Sequence, residues 1–328
     1  MSLLDVQDLA VSLPLSVGLS GAFKPKAARR LEIFSDISFA VASGETLGLV
    51  GESGSGKTTL ARALLGLTPT QAGKITFDGR LRATQADFAQ MRRTSAMMFQ
   101  DAIASLSPRM TVSTLLAEPL IIHGQAPRDL AAKVADMLHL VGLTADFAAR
   151  YPHELSGGQA RRVGVARALA LSPKLVIADE PTAGLDVSVQ GEILNLMTDL
   201  KTRLSLSYLI ISHNLAMIRH VSDRIAVMYL GRLVEIGPTR AVFAQPLHPY
   251  AQSLIAAEPL PDPRKRRADP AISGEIPSLL HRPKGCVFQS RCPQAQALCR
   301  SDAPVLRALG PNRLVRCHFA DPARLQED

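Results

Sequence analysis

The stretch ETLGLVGESGSGKTTLARALLGL, residues 45 to 67, runs from a short apolar segment through a loop with three glycines in six residues into a helical pattern. Few other folds tolerate that order, and it predicts a strand, a tight turn and a helix at the start of an α/β nucleotide-binding unit. Gly51 to Thr58 fits G-x-x-x-x-G-K-[ST] completely. Glycines let successive backbone N–H groups turn inward around a phosphate chain, and the helix N-terminus adds the positive end of its dipole. Lys57 supplies a point charge, and the Thr58 hydroxyl is placed to ligate Mg²⁺. Gly51, Ser53, Gly54, Ser55, Gly56, Lys57, Thr58 and Thr59 are therefore the expected ATP-binding residues. The alternative, a merely flexible glycine loop, does not account for the strand and helix on either side.

Two further apolar strands, KLVIADE and SYLIISH, flank GEILNLMTDLKTRL, whose Ile193, Leu194, Met197 and Leu200 recur at helical spacing. The order βαβ implies buried parallel strands. Asp179 ends the first of them, where the acids of a parallel sheet face the ligand crevice, and is expected to hold Mg²⁺; Glu180 beside it is expected to polarise the attacking water. KITFDGR and RIAVMYLGRLVEIG alternate and turn at Asp78-Gly79 and near Gly231, as antiparallel hairpins do. Residues 111 to 150 carry two helical patterns, ended by Gly142 and Pro152, that predict a separate helical lobe. No internal repeat is present, so the chain holds one nucleotide unit.

In ELSGGQARRVGVARALAL, Ser156, Gly157, Gly158 and Gln159 open a long helix and so form a second helix-start anion site. One nucleotide unit does not need two. The economical explanation is a dimer in which the second site serves the partner's ATP.

With these residues in place, the chain resembles the ABC transporter ATPases, for which LSGGQ is the signature, over roughly residues 1 to 245. The resemblance implies an α/β P-loop NTPase fold with a RecA-like core, an antiparallel β subdomain and a helical subdomain. It also implies roles for three further residues. Gln100 in MMFQD resembles the Q-loop glutamine that touches Mg²⁺ and water, Asp186 in AGLD the D-loop aspartate, and His213 in IISHN the switch histidine on the γ-phosphate. Two departures stand out. Ala183 and Gly184 replace the serine and alanine usual before Leu185-Asp186, and the aromatic residue that stacks on adenine is left unassigned: its place falls near Ala28, with Phe23 and Phe34 as candidates, Phe34 reading equally well as a core residue.

QDAIASLSPRMTV, AEPL, DVSVQ and PLHPY resemble the oligopeptide, dipeptide and nickel importers, and GEIPSLLHRPKGCVFQSRCP resembles the C-terminal extension of their ATPases, nearest to the F-type subunit. Two domains are expected: 1–245, the ATPase, and 246–328, a small extension. The implied function is Mg·ATP hydrolysis driving import of peptides, with nickel or another small solute as the alternative cargo. The implied partners are a D-type ATPase in a heterodimer, two integral membrane permeases and an extracytoplasmic substrate-binding protein, with the chain peripheral at the cytoplasmic face of the inner membrane. The start lacks a secretory pattern and no long apolar run occurs, which agrees with that location. A soluble ABC factor acting on nucleic acid is disfavoured, because one P-loop is present and only 54 residues separate Gln100 from Leu155.

All four cysteines, Cys286, Cys292, Cys299 and Cys317, lie in the last 45 residues. Their spacing lacks the paired C-x2-C of structural zinc sites, and a cytoplasm disfavours disulfides. The residues themselves leave a Cys₄ metal site, reduced core thiols or other uses open; the resemblance implies a [4Fe–4S] cluster. Residues 246 to 328 also hold 12 Lys+Arg against 8 Asp+Glu, in a chain of net charge +8. The densest piece, Arg264, Lys265, Arg266 and Arg267, reads as a solvated proline-rich linker rather than a contact for an anionic membrane or nucleic acid.

Overall fold

Period-two alternation, shifted once at a bulge, makes the first strand: Leu4, Val6, Leu9 and Val11 are buried along β1 (Ser2–Pro14), Leu3 with them, while Gln7 and Asp8 are exposed. The computed structural model describes residues 2–15, 30–101, 104–258, 274–275, 277–310 and 312–321. Phe23, Ala28 and the basic run Arg264 to Arg267 lie outside them. The chain folds into two compact units that do not follow chain order, one of Ser2–Ala40, Leu47–Ala83 and Ser212–Asp328, the other of Val41–Thr46 and Thr84–Ile211.

In the first unit an antiparallel sheet runs in the order β2 (Arg30–Ala42), β1, β4 (Ala72–Phe77), β5 (Arg80–Leu81). The register of β1 on β4 slips between Gln7 and Ala10, where Asp8 takes φ 49° and its N–H donates to Ser38 Oγ. Gly73 sits opposite that bulge, and a Cβ there would lie 2.5 Å from Leu9 Cα. Asp78 and Gly79 both have positive φ, the primed turn expected of that dipeptide. A second set of strands runs in the order β11 (Arg307–Ala308), β12 (Leu314–Val315), β10 (Arg232–Pro238), β9 (Arg224–Tyr229), β3 (Thr46–Val50). β9 and β10 form the second expected hairpin, turning at Leu230 and Gly231, and β3 lies parallel to β9. The helices are α1 (Lys57–Leu64), α7 (Leu215–Val221), α8 (Thr239–Ala244), α9 (Pro249–Ala256) and α10 (Ala297–Ser301).

The tail thus adds strands β12 and β11 to the edge of β10. One apolar cluster joins Leu247, Leu309, Val315 and Ala320, with Cys317 against it, and Tyr250 and Phe288 are fully buried as well. Arginines do much of the attachment. Arg316 donates to Leu233 O and Asp36 Oδ2, Arg282 to Glu32, and Arg313 to Glu235, a carboxylate with no exposure at all.

In the second unit three parallel strands run β8 (Ser207–Ser212), β7 (Leu175–Asp179), β6 (Ser95–Met98). All residues of β7 and β8 are buried, as their unbroken apolar runs predict. Thr84 opens α2 (Gln85–Met91) with a capping box to Asp87. The two helical patterns become α3 (Val112–Ile122), capped by Thr111, and α4 (Leu130–Leu140), capped by Asp129 and ended at Gly142 with φ 73°. They pack against α5 (Gly157–Leu169), which with α6 (Val187–Leu204) completes the unit. Among the described residues no helix is long and apolar enough to cross a membrane.

Candidate active site

The glycine loop leaves β3 at Gly51, where a Cβ would come within 2.0 Å of the Met228 carbonyl oxygen, so no side chain fits. Gly54 and Gly56 take φ 78° and 103°. Gly56 is the N-cap of α1, and no side chain caps that helix start. Lys57 Nζ folds back on the loop, donating to Gly51 O at 2.8 Å, Glu52 O at 2.9 Å and Ser55 Oγ at 3.3 Å. Thr58, Ser53 and Gly54 are exposed, and Thr59 is half-buried. A helix start free of side-chain caps, a backbone curled by glycines and an adjacent ammonium group together fit a phosphate chain. His213 is exposed in the turn after β8, and Asn214 behind it caps α7.

In the other unit Asp179 closes β7 and is buried, while Glu180 takes φ 50°, the left-handed region that non-glycine residues enter at a cost of about 1–3 kcal/mol. Its N–H is held by Ile211 O at 2.9 Å. Gln100 is exposed just past β6. Ser156 and Gln159 form a reciprocal capping box at the start of α5, 3.0 and 3.3 Å. Gly158 is required there by packing, because a Cβ would meet Val189 at 2.8 Å. Asp186 caps α6 through the Val189 N–H. The departure at Gly184 has a backbone reason: its φ is 75° and the space around it is open.

Three results go beyond the sequence reading. Phe34 has no exposure and belongs to the core, so of the two named adenine candidates it is removed and Phe23 lies outside the described residues. Arg161, in the signature helix, ties the Q and D loops together by donating to Phe99 O, Gln100 O and Ala183 O at 3.0 to 3.3 Å. Burial lowers its pKa, yet an arginine stays charged. Its partners lie 22 to 62 residues away, so no local pattern announces it. Likewise Arg291, in the tail, grips the P-loop residue Glu52, 239 positions away.

The four cysteines converge. Cys286, Cys292, Cys299 and Cys317 line one cavity with His248, Phe288 and His318. Burial raises the pKa of Cys286 to about 11, and the neighbouring thiols push the same way. Burial and the neighbouring thiols thus favour the protonated form; among the described residues no three such ligands sit close enough to hold a single ion, and the cavity's free volume is only about 10 Å³.

A family model for the ABC transporter matches residues 34–183, and one for the oligopeptide/dipeptide transporter C-terminal region matches 234–299. A putative peptide import ATP-binding protein of Brucella abortus is 48% identical over 88% of this chain and 87% of its own length. The chain belongs to the ABC transporter ATP-binding proteins. The oligopeptide transport ATP-binding protein OppF of Salmonella typhimurium is 42% identical to this ABC protein, covering 98% of the chain and 97% of the relative. AppF of Bacillus subtilis, also named for oligopeptide transport, is 41% identical with 97% of both chains covered. Among solved structures, a Clostridium perfringens protein described as part of an ABC transporter complex superposes with TM-score 0.63 and 26% identity, covering 74% of this chain and 91% of that one. An ATP-binding cassette solved as a dimer with ADP and phosphate shares the fold, with TM-score 0.62 at 23% identity and 72% and 99% coverage.

Proposed function

We propose that this ABC protein hydrolyses Mg·ATP to drive uptake of di- or oligopeptides. The observation that carries the reading is one chain holding both the ABC transporter match at 34–183 and the oligopeptide/dipeptide match at 234–299, with relatives named for oligopeptide transport along nearly its whole length. Lys57 and the backbone of Gly51, Ser53, Gly54, Ser55, Gly56 and Thr58, with Thr59 after them, hold the phosphates. Thr58, Gln100 and Asp179 would hold Mg²⁺, which when bound would supply positive charge against the phosphates. Glu180 orients and deprotonates water, and His213 contacts the γ-phosphate. Ser156, Gly157, Gly158 and Gln159, with Asp186, serve ATP bound to the partner ATPase, so binding closes the pair and hydrolysis releases it.

Nearest to an F-type subunit, the chain pairs with a D-type ATPase beneath two permeases that receive peptide from a substrate-binding protein, and it sits peripherally on the inner membrane's cytoplasmic face. Peptide is favoured over nickel by the relatives' names. Cys286, Cys292, Cys299 and Cys317 would hold a [4Fe–4S] cluster, which would cross-link the tail segments that carry them. The test is Glu180→Gln in the assembled transporter: ATP binding and dimer closure persist while hydrolysis and peptide uptake cease. Undiminished turnover would overturn the assignment of Glu180.

A further inference from the structure

Glu52 is the first variable position of the phosphate loop, and every polar group it owns is taken. Its carbonyl accepts from Lys57 Nζ at 2.9 Å. Its N–H donates to Tyr250 Oη at 3.0 Å. Its two carboxylate oxygens accept from Arg291 Nη1 at 2.8 Å and Nη2 at 3.1 Å, a bidentate pair. Two of these three partners come from the tail. Arg291 is itself fixed: its side chain is 8% exposed, Nη1 also donates to Tyr229 Oη at 3.3 Å, and its backbone N–H bonds Phe288 O at 3.0 Å. Tyr229, Tyr250 and Phe288 pack ring against ring, with centroids 4.6 to 5.4 Å apart. The same Phe288 lines the cavity of the four cysteines, and Arg291 precedes Cys292.

We infer that Arg291 is a positioning residue for ATP, acting through Glu52: it sets the entry of the phosphate loop and cancels a carboxylate that would otherwise face the incoming polyanion. The inference rests on the reading of residues 51 to 58 as the phosphate cradle. Both effects act on binding of the ground state, so the expected signature is a raised KM for ATP with little change in kcat. It makes the tail a determinant of nucleotide affinity as well as a family marker.

The experiment is titration of the full-length chain with a fluorescent ATP analogue and Mg²⁺, together with steady-state ATPase kinetics. Arg291→Ala is expected to weaken binding about tenfold, equivalent to about 1.4 kcal/mol, with Arg291→Lys intermediate. Adding Glu52→Gln to Arg291→Ala removes the unpaired carboxylate and restores most of the loss, with kcat near wild type in every Arg291 variant, a split that a merely structural contact would not give. Should Arg291→Ala fail to fold, Arg291→Gln, alone and with Glu52→Gln, gives the same comparison. Lys57→Ala is the reference. If it loses binding while the Arg291 variants bind within twofold of wild type, or if Glu52→Gln gives no rescue, the role of Arg291 is overturned and the cradle stands. If Lys57→Ala also binds normally, the cradle reading falls and the inference with it.

Discussion

Arg313→Met tests how the tail is held. Glu235 has no exposure and accepts from Arg313 Nε at 3.1 Å and Nη2 at 2.5 Å, from Leu247 N at 3.0 Å and from His248 N at 2.8 Å. Removing the cation leaves a buried carboxylate with backbone donors alone, a class of change that costs about 3–5 kcal/mol. Local opening at the tail junction should therefore become roughly two to three and a half orders of magnitude more frequent, at tenfold per 1.4 kcal/mol. Hydrogen exchange of the Leu247 and His248 amides, which bond the carboxylate directly, reads this opening. The pH dependence has a definite sign. Burial pushes the Glu235 pKa above its usual value, with Arg313 and the two amides pulling it down. A carboxyl whose folded pKa exceeds its unfolded one opposes folding only above the unfolded pKa, and the penalty grows as pH rises toward the folded value. Without Arg313 the folded pKa climbs further, so the gap between variant and wild type should widen as pH rises above the unfolded carboxyl's pKa. Glu235→Gln/Arg313→Met, which buries no charge, should recover much of the loss. A gap below tenfold, or one that narrows as pH rises, would refute the reasoning.

Gly51→Ala places a Cβ 2.0 Å from Met228 O and should cost more than tenfold in affinity for a fluorescent ATP analogue, since the loop must leave β9. Arg161→Ala removes three bonds from a 4% exposed guanidinium to carbonyls of two loops, and should lower thermal stability by about 2–3 kcal/mol with loss of ATPase activity; an unchanged melting temperature would show the ties to be idle. Iron and sulfide analysis of protein purified without oxygen should give about four irons per chain, lost on Cys292→Ser. Metal-free protein would remove the cluster and leave the ATPase reading in place.

What was legible in the sequence is what local pattern encodes. The glycine loop, the buried strands around Asp179 and the primed turn at Asp78-Gly79 each need only neighbouring residues to specify them. Ser156 and Gln159 were read as an anion site at a helix start, and the capping box between them is the local device that starts it. Phe34 shows the limit. An aromatic at a plausible offset is indistinguishable from a core aromatic until the sheet that covers it is known, and here it is fully covered. The arginines show a second limit. Arg161 and Arg291 read as ordinary surface charges because their partners are distant in sequence, and only tertiary structure makes them ties. The cysteines were countable, but their meeting in one cavity needed the tail to fold.

The tail's excess of positive charge takes on a different meaning once its partners are seen. Arg282, Arg291, Arg313 and Arg316 pair with Glu32, Glu52, Glu235 and Asp36, so much of that charge is neutralised inside the protein. The cluster of Leu247, Leu309, Val315 and Ala320 is small, but Tyr250 and Phe288 are fully buried against Tyr229, so apolar burial and ion pairs hold the segment together. The four pairs are not equal. Glu235 has no exposure, whereas Glu32 and Asp36 have side chains 47% and 50% exposed, where solvent screening leaves an ion pair worth little. Among the four pairs, those at Glu235 and Glu52 are therefore the ones whose loss would be felt. Both acids lie before residue 246 and both arginines after it, so a chain cut at that point would leave each acid without its cation. Chain order suggests a division there; the electrostatics join what it separates, and they do so at the loop expected to hold ATP.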